Sequence, residues 1–287
     1  MLTAEQIEQF KEEGFLLVRD LLPRTALAPL IAELEEKVDN MVEEAVAKAL
    51  LEPADTFAEA SFSTRLARVS AACTEPDWPW REYFSQQKPL TPGVFHLRTA
   101  PALLDAAESL IGPEILAHPQ FALRVHVPRN APTVIPWHQD LAYLIPEEAG
   151  DTLVANFWIP LVPTTAENGC LQVLRGSHRQ DLVAHNLHQS GSKGALGILE
   201  EELPLGDVVT AAMDAGDALL TMERLVHRSL PNRSDTVRWS IDTRYCQIGL
   251  PTGRPQVPGF VARSRQNPDS VAHSIDDWRQ TLASAQR

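Results

Sequence analysis

The sequence predicts a mainly β protein, a β-sandwich or jelly roll flanked by N-terminal helices. Two observations carry that expectation. Helical patterns come first, over about residues 1–112, and from about residue 113 the apolar period shortens from that of a helix to the alternation of strands. The later segments are also joined by short turns, the layout of stacked antiparallel sheets rather than of alternating β and α units.

Thr3 followed by Gln6 has capping-box spacing and starts a short helix carrying Ile7 and Phe10. Gly14 ends it, and Phe15-Leu16-Leu17-Val18 reads as a buried strand. From about Arg24 to Leu51 the pattern is again helical, apolar at Leu27, Leu30, Ile31 and Leu34, with Pro29 near the first turn where its ring costs least. Residues 52–98 read as irregular, because Pro53, Pro76, Pro79, Pro89 and Pro92 break any long element. Pro101 to Ile111 is a helix with Thr99 as its cap and Gly112 at its end.

Phe121, Leu123, Val125 and Val127 then alternate as in a half-buried strand. Leu153 to Ile159, Cys170 to Leu174, Ala218 to Met222 and Val237 to Ile248 follow as strands. Between Ser177 and Asp207 lies a polar, glycine-bearing excursion, and a short helix is expected near Asp276 to Ala285. The chain reads as one domain, 1–287, with helices over about 1–112 and a jelly-roll core over about 113–250.

A hydrophobic content of 44% and a charged content of 22% are those of a globular chain with a sizeable core. The net charge of −13 argues against nucleic acid as a partner, because phosphate neutralisation needs clustered Lys and Arg. It leaves room for a small anionic ligand. No apolar run has the length of a membrane span, and the polar start lacks the apolar core of a signal peptide. Cys73, Cys170 and Cys246 are too few and too scattered for a disulfide framework, so they read as small buried hydrophobes. The expectation is a soluble protein of a reducing cytoplasm, acting on a small molecule.

The chemistry concentrates in two segments. In Pro136-Trp137-His138-Gln139-Asp140, His and Asp stand two apart, and on extended backbone residues i and i+2 share a face. A His-x-Asp tripeptide alone is common; the second segment gives it weight. Val226-His227-Arg228-Ser229 is followed by a Pro-Asn-Arg-Ser-Asp stretch and then by Arg238. Asn232 and Arg233 lie midway between His227 and Arg238, so a hairpin turning there would set His227 opposite Arg238, with Ser229 on the same face. Two imidazoles and one carboxylate form the facial triad of non-haem iron sites. Three positions then remain, two for a 2-oxo acid and one for dioxygen. A guanidinium suits the far carboxylate of such an acid better than an ammonium does. Two His and one carboxylate suit zinc as well, but a zinc hydrolase has no need of Arg238 and Ser229.

With these residues in view, the chain resembles the phytanoyl-CoA dioxygenase-like family of iron(II)/2-oxoglutarate oxygenases. The match runs through Phe10, Gly14, Phe15 and Leu17, then Trp137-His138-Gln139-Asp140, Glu167-Asn168-Gly169-Cys170-Leu171 and Gly176-Ser177-His178. It closes on His227, Ser229, Asn232, Ser234 and Arg238, covering roughly residues 5–245. The resemblance implies a double-stranded β-helix (a cupin-like jelly roll) and an Fe(II) ion on His138, Asp140 and His227. It implies 2-oxoglutarate as cosubstrate, held by Arg238 and Ser229, with Arg124 at a position near it, and O2 as the oxidant. The reaction it implies is hydroxylation of an unactivated C–H bond with release of succinate and CO2. Desaturation, ring closure, or a non-catalytic jelly-roll binding protein are the alternatives. Asp140 argues against a halogenase, which needs a small residue there. Nothing marks a coenzyme A site.

The remaining polar residues read more plainly. His126, in phase with Arg124, is a satisfied structural histidine, Trp158 a core aromatic and His178 a hydrogen-bonded turn residue, while His185 and His188 are solvated. Residues 61–98, with Trp78, Trp80, Tyr83, Phe84, His96 and Arg98, are expected over the pocket mouth together with the excursion Arg179 to Leu205. The other reading of those aromatics is that they cover the N-terminal helices.

Overall fold

The computed structural model describes residues 1–77, 83–84, 88–129, 133–187 and 196–285. In chain order its elements are α1 (Ala4–Glu13), β1 (Phe15–Val18), α2 (Arg24–Ala47), α3 (Phe62–Ala72), α4 (Pro92–Arg98), α5 (Pro101–Ile111), β2 (Ile115–Ala117) and β3 (Ala122–His126). Then follow β4 (Ala155–Pro160), β5 (Leu171–Leu174), β6 (Asn186–Leu187), β7 (Leu196–Gly197), β8 (Val208–Ala211), β9 (Ala218–Thr221), β10 (His227–Ser229), β11 (Arg238–Gln247), β12 (Phe260–Arg263) and α6 (Ile275–Ser284). The strands form an antiparallel major sheet in the order β1-β9-β4-β11-β2-β12, with β3 also on β11, and a minor sheet β10-β5-β8. β6 and β7 pair by themselves within the excursion.

The N-terminal capping box is present: Thr3 Oγ1 accepts from Gln6 N, and the Gln6 side chain accepts from Thr3 N. Gly14 closes α1 at φ +81°, and an added Cβ would stand 2.2 Å from His178 Nδ1. Only glycine lets the helix end against that ring and pass directly into β1, which joins the edge of the major sheet through Phe15↔Thr221.

β11 is the central strand. One edge pairs β4 from Ser240↔Pro160 to Tyr245↔Ala155; the other pairs β3, then β2. Its outer face meets the helices. Trp239 stacks on Phe62 of α3 at 4.9 Å between ring centroids and meets Phe84 edge-on at 5.2 Å. Tyr245 donates to the Arg98 carbonyl at 2.8 Å. α2 buries Leu27, Leu30, Leu34, Val38, Met41 and Ala45, a helical stripe facing the core.

Several expectations change. The stretch 52–98 holds α3 and α4; Pro92 sits in the first turn of α4, where its missing N–H is not needed, and Thr91 caps that helix. Thr99 does not cap α5, whose N-cap is Ala100; its hydroxyl donates to Phe95 O and closes α4 instead. Phe84 and Arg98 are buried beneath the helices rather than set over a pocket, and the Tyr83 hydroxyl donates to Glu44 on α2. Trp78, Trp80, His188 and most of the glycine-bearing excursion lie outside the described residues.

The hairpin between His227 and Arg238 does not form. β10 pairs β5 in the minor sheet and β11 belongs to the major one, so residues 230–237 cross between layers. Asn232 pins that crossover: its amide donates to His126 O and Thr236 O, and its carbonyl accepts from Ser234. Among the described residues no helix is long and apolar enough to cross a membrane.

Candidate metal centre

The partner that the backbone sets opposite His227 is His138. The two residues exchange both N–H···O bonds, each at 2.9 Å, as a hydrogen-bonded antiparallel pair. Ser229 N extends the ladder to Ile135 O at 3.0 Å. Facing residues of such a pair put their side chains side by side, and the two imidazole centroids lie 4.2 Å apart. Each ring uses Nδ1 on the carbonyl two residues before it, His138 on Pro136 at 2.8 Å and His227 on Leu225 at 2.9 Å. A carbonyl only accepts, so Nδ1 carries the proton and Nε2 keeps its lone pair. Burial, with His227 adding to it, pulls His138 down to about 3, so the ring is neutral as a ligand must be.

Asp140 follows on extended backbone at Gln139 and opens a short 3-10 turn through Tyr143. Gln139, itself fully buried, fixes this link. Its backbone N–H donates to His185 Nε2 at 2.9 Å, its side-chain oxygen accepts from Val183 N at 2.8 Å, and its amide donates to Arg224 O at 2.8 Å. His185 is therefore not solvated. It is half-buried and clamped, with Nδ1 donating to Val183 O, because the excursion folds back onto the metal segment.

Asp140 Oδ1 lies 3.8 Å from His138 Nε2 and accepts from Arg244 Nη2 at 2.7 Å, while Oδ2 is buried without a partner. Burial alone would raise this carboxyl; the Arg244 guanidinium beside it holds it well below the usual carboxylate range. Ligand atoms of His138, Asp140 and His227 lie within 4.8 Å of one another, the one such group among the described residues.

The inner face of β11 lines the same space with Arg238, Ser240, Asp242 and Arg244, all buried. Arg238 Nη1 donates to Ser240 Oγ at 2.7 Å and Nη2 to His126 Nδ1 at 2.8 Å; Nε has no partner, and no carboxylate among the described residues pairs with it. Trp158 lies under the guanidinium at 5.3 Å. Burial, and Arg124 after it, pull this guanidinium down to about 9. Arg124, half-buried on β3 opposite Ser240, ion-pairs through Nε with Asp242 at 2.7 Å. Ser229 stands on the minor sheet, where its hydroxyl oxygen accepts from Ile135 N at 2.8 Å and its own O–H remains to donate. His126 accepts from Arg238 through Nδ1, so its proton is on Nε2, a buried donor without a partner. It is thus only half satisfied.

Residues 10–240 match the family model described as phytanoyl-CoA dioxygenase (PhyH). The chain belongs to that family. It is 31% identical over 156 residues to 1-deoxypentalenic acid 11-beta-hydroxylase from Streptomyces arenae, a stretch covering 50% of this chain and 53% of that protein. The chain thus spans about half the length of that relative. With the peroxisomal phytanoyl-CoA dioxygenase of Homo sapiens it shares 24% identity over 251 residues, 85% of this chain and 68% of the human one. Among solved structures, a non-haem monooxygenase, ThoJ, superposes with a TM-score of 0.59 at 21% identity, covering 98% of this chain and 96% of that one. The epimerase SnoN, solved with Fe3+, alpha-ketoglutarate and nogalamycin RO, gives 0.53 at 17% identity, with 85% and 82% covered. These likenesses fix the fold as a jelly roll.

The phytanoyl-CoA dioxygenase family is one of non-haem iron, 2-oxoglutarate-dependent oxygenases, and the donor set here fits such an ion. Two Nε2 atoms, on rings bound through Nδ1 to backbone carbonyls, and the buried Asp140 carboxylate converge, each held from behind. The family motif residue Gly169 also has a local reason: at φ +89°, an added Cβ would stand 2.7 Å from Leu230 O and 2.9 Å from the His126 ring. Sequence reasoning gave Gln139 no role of its own and missed Asp242 and Arg244. The one available signal was the alternation Arg-Ser-Asp-Arg at every second position of a strand whose other positions are mostly apolar.

Proposed function

We propose that this protein is an Fe(II)- and 2-oxoglutarate-dependent hydroxylase of a small molecule, working in a reducing cytoplasm, with His138, Asp140 and His227 as the metal ligands. One observation carries the reading. Three buried ligand atoms converge, and β11, whose Arg244 holds one of those ligands, also carries a buried guanidinium, Arg238, that has no carboxylate ion-pair partner among the described residues. A buried cation without a counter-charge is costly, and a dicarboxylate reaching from the metal to Arg238 removes that cost. When bound, iron with 2-oxoglutarate and O2 supplies an oxidative decarboxylation to succinate and CO2 coupled to insertion of one oxygen atom into substrate C–H.

The chain's own residues do the holding and shielding. Pro136 O and Leu225 O fix the tautomer of both imidazoles. Arg238, steadied by Ser240 and His126, takes the far carboxylate of the cosubstrate, with Ser229 and Arg124 as further contacts. Tyr143, edge-on to His138 at 5.5 Å and hydrogen-bonded to Leu196, joins the excursion to the metal's surroundings. The family likeness to a Streptomyces hydroxylase favours hydroxylation over desaturation or ring closure.

Iron(II) and 2-oxoglutarate added anaerobically give the wild type a weak visible charge-transfer band, and turnover releases one succinate per hydroxylated product. His227→Ala loses the band and all turnover, because it removes one of three ligands. Full activity in His227→Ala, or in iron-free protein given only zinc, refutes the assignment.

A further inference from the structure

Of the three ligands, Asp140 has the most freedom to bind wrongly, since it offers two oxygens. The structure holds one of them from behind and leaves that oxygen a second lone pair. Oδ1 accepts from Arg244 Nη2 at 2.7 Å, and both side chains are buried. Arg244 is itself tied by Nη1 to Asp242 Oδ2 at 3.3 Å, and Asp242 Oδ1 accepts from Arg124 Nε at 2.7 Å. Four alternating charges, Arg124, Asp242, Arg244 and Asp140, therefore run along the inner face of β3 and β11 and end on the ligand. Three of the four stand on paired strands of the major sheet, with Asp242 opposite Ala122 and Trp158 and with Arg244 opposite Asn156. The row has a rigid base.

We propose that Arg244 is the positioning residue of the metal centre, holding Asp140 by Oδ1 and so fixing the orientation in which its carboxylate meets the ion. This rests on the reading of His138, Asp140 and His227 as a metal site. Two effects of Arg244 oppose each other, which makes the idea testable. As a charge, a guanidinium beside the carboxylate repels a divalent ion, so its removal by charge alone would tighten metal binding. As a positioner, it fixes how the carboxylate faces the ion, and losing such an outer partner typically weakens metal affinity about 10–100-fold.

The measurement is titration of the metal-free full chain with Co(II), followed by its visible absorption, with thermal melting of the metal-free protein as a fold control. Wild type binds one Co(II). Arg244→Met, close in length and uncharged, is expected to bind about 10–100-fold more weakly with a changed band shape. Arg244→Lys recovers part of the affinity, because an ammonium is a single point donor and cannot span Asp140 and Asp242 as the fork does. Binding by Arg244→Met as tight as wild type or tighter, with an unchanged band, overturns the proposal. If that variant does not fold, Asp242→Asn decides. It leaves the Arg244–Asp140 contact but removes its anchor, so a smaller loss in the same direction supports the proposal and wild-type binding overturns it. His227→Ala, run in parallel, separates the two levels. If it binds Co(II) as wild type does, the metal site itself is wrong; if it fails to bind and Arg244→Met matches wild type, only the role of Arg244 is.

Discussion

Along β11 the odd-numbered and even-numbered residues are equally buried and chemically opposite. Trp239, Ile241, Thr243 and Tyr245 face the helices, whereas Arg238, Ser240, Asp242 and Arg244 face the metal segment. On the outer face polar atoms find protein partners: Trp239 Nε1 donates to Phe62 O at 3.3 Å, and Tyr245 and Thr243 both engage Arg98. On the helix side Arg98 Nη1, Ser70 Oγ and Glu33 Oε2 are left without partners, and the Arg98 guanidinium lies 4.4–5.1 Å over three aromatic rings. On the inner side Arg238 Nε, His126 Nε2 and Asp140 Oδ2 are buried with nothing to bond. Burial does not separate the two faces of β11; the bonding of the strand's own side chains does, since Trp239, Thr243 and Tyr245 find protein partners and Arg238 Nε finds none.

The sharpest way to break this contrast is to truncate one residue on each face. Arg238→Ala on the inner face should weaken 2-oxoglutarate binding by at least about two orders of magnitude, since a buried carboxylate losing its charged partner typically costs about 3–5 kcal/mol. Iron content should stay near wild type, and thermal stability should not fall, because a buried cation without a carboxylate partner has been removed. Anaerobic titration of the iron(II) protein with 2-oxoglutarate measures it. Wild-type affinity in this variant would transfer the role to another cation, with Arg124 the first to test. Trp239→Ala, one position along, should do the reverse. It is expected to cost about 3–5 kcal/mol of stability by urea denaturation, while the folded fraction keeps cosubstrate affinity within about threefold, as independent sites do. An equal loss of cosubstrate affinity in both variants would show that the faces are not independent.

The same contrast marks how far the sequence could be read. His138 and Asp140 were legible because i, i+2 spacing on extended backbone is a local rule, and so was the Thr3–Gln6 cap. Arg238, Ser229 and Arg124 were found as residues, but their arrangement was not. A turn placed midway between His227 and Arg238 is a local inference, whereas the real partner of His227 is His138, 89 positions earlier in the chain (227 − 138). No local period encodes which distant strand lies alongside. Arg244 and Asp242 were passed over for a different reason: polar residues at every second position of a strand have the pattern of a solvated face, and only the fold shows this one to be closed. α3 was hidden because the prolines flank it rather than interrupt it.

The smallest expected effect lies in His118, just past β2, whose backbone N–H donates to the Arg244 carbonyl. Its Nδ1 accepts from Gln120 N at 3.0 Å, so the proton sits on Nε2, which donates to Thr252 O at 2.8 Å. Unlike His126 on the inner side, this ring has both nitrogens satisfied. Burial pulls it down to about 3, with the nearby guanidiniums of Arg244, Arg98 and Arg254 adding to the effect and the Thr252 bond opposing it. The folded value is below the ordinary histidine value of about 6.5. As pH falls through that value the unfolded chain therefore takes up a proton that the native ring refuses, and stability is lost. One such group should cost about 1.4 kcal/mol between about pH 7.5 and about pH 5.5. His118→Gln can keep both hydrogen bonds, since its carbonyl can accept from Gln120 N and its amide can donate to Thr252 O, but it does not titrate. Urea denaturation of the metal-free proteins at the two pH values should show the variant losing that much less than wild type, with other histidines contributing equally to both. Cosubstrate affinity near pH 7.5 should be unchanged. Equal acid losses in the two proteins would mean that His118 already carries its proton in the folded state, and a fall in cosubstrate affinity would mean that His118 also supports the site through its neighbour Arg244.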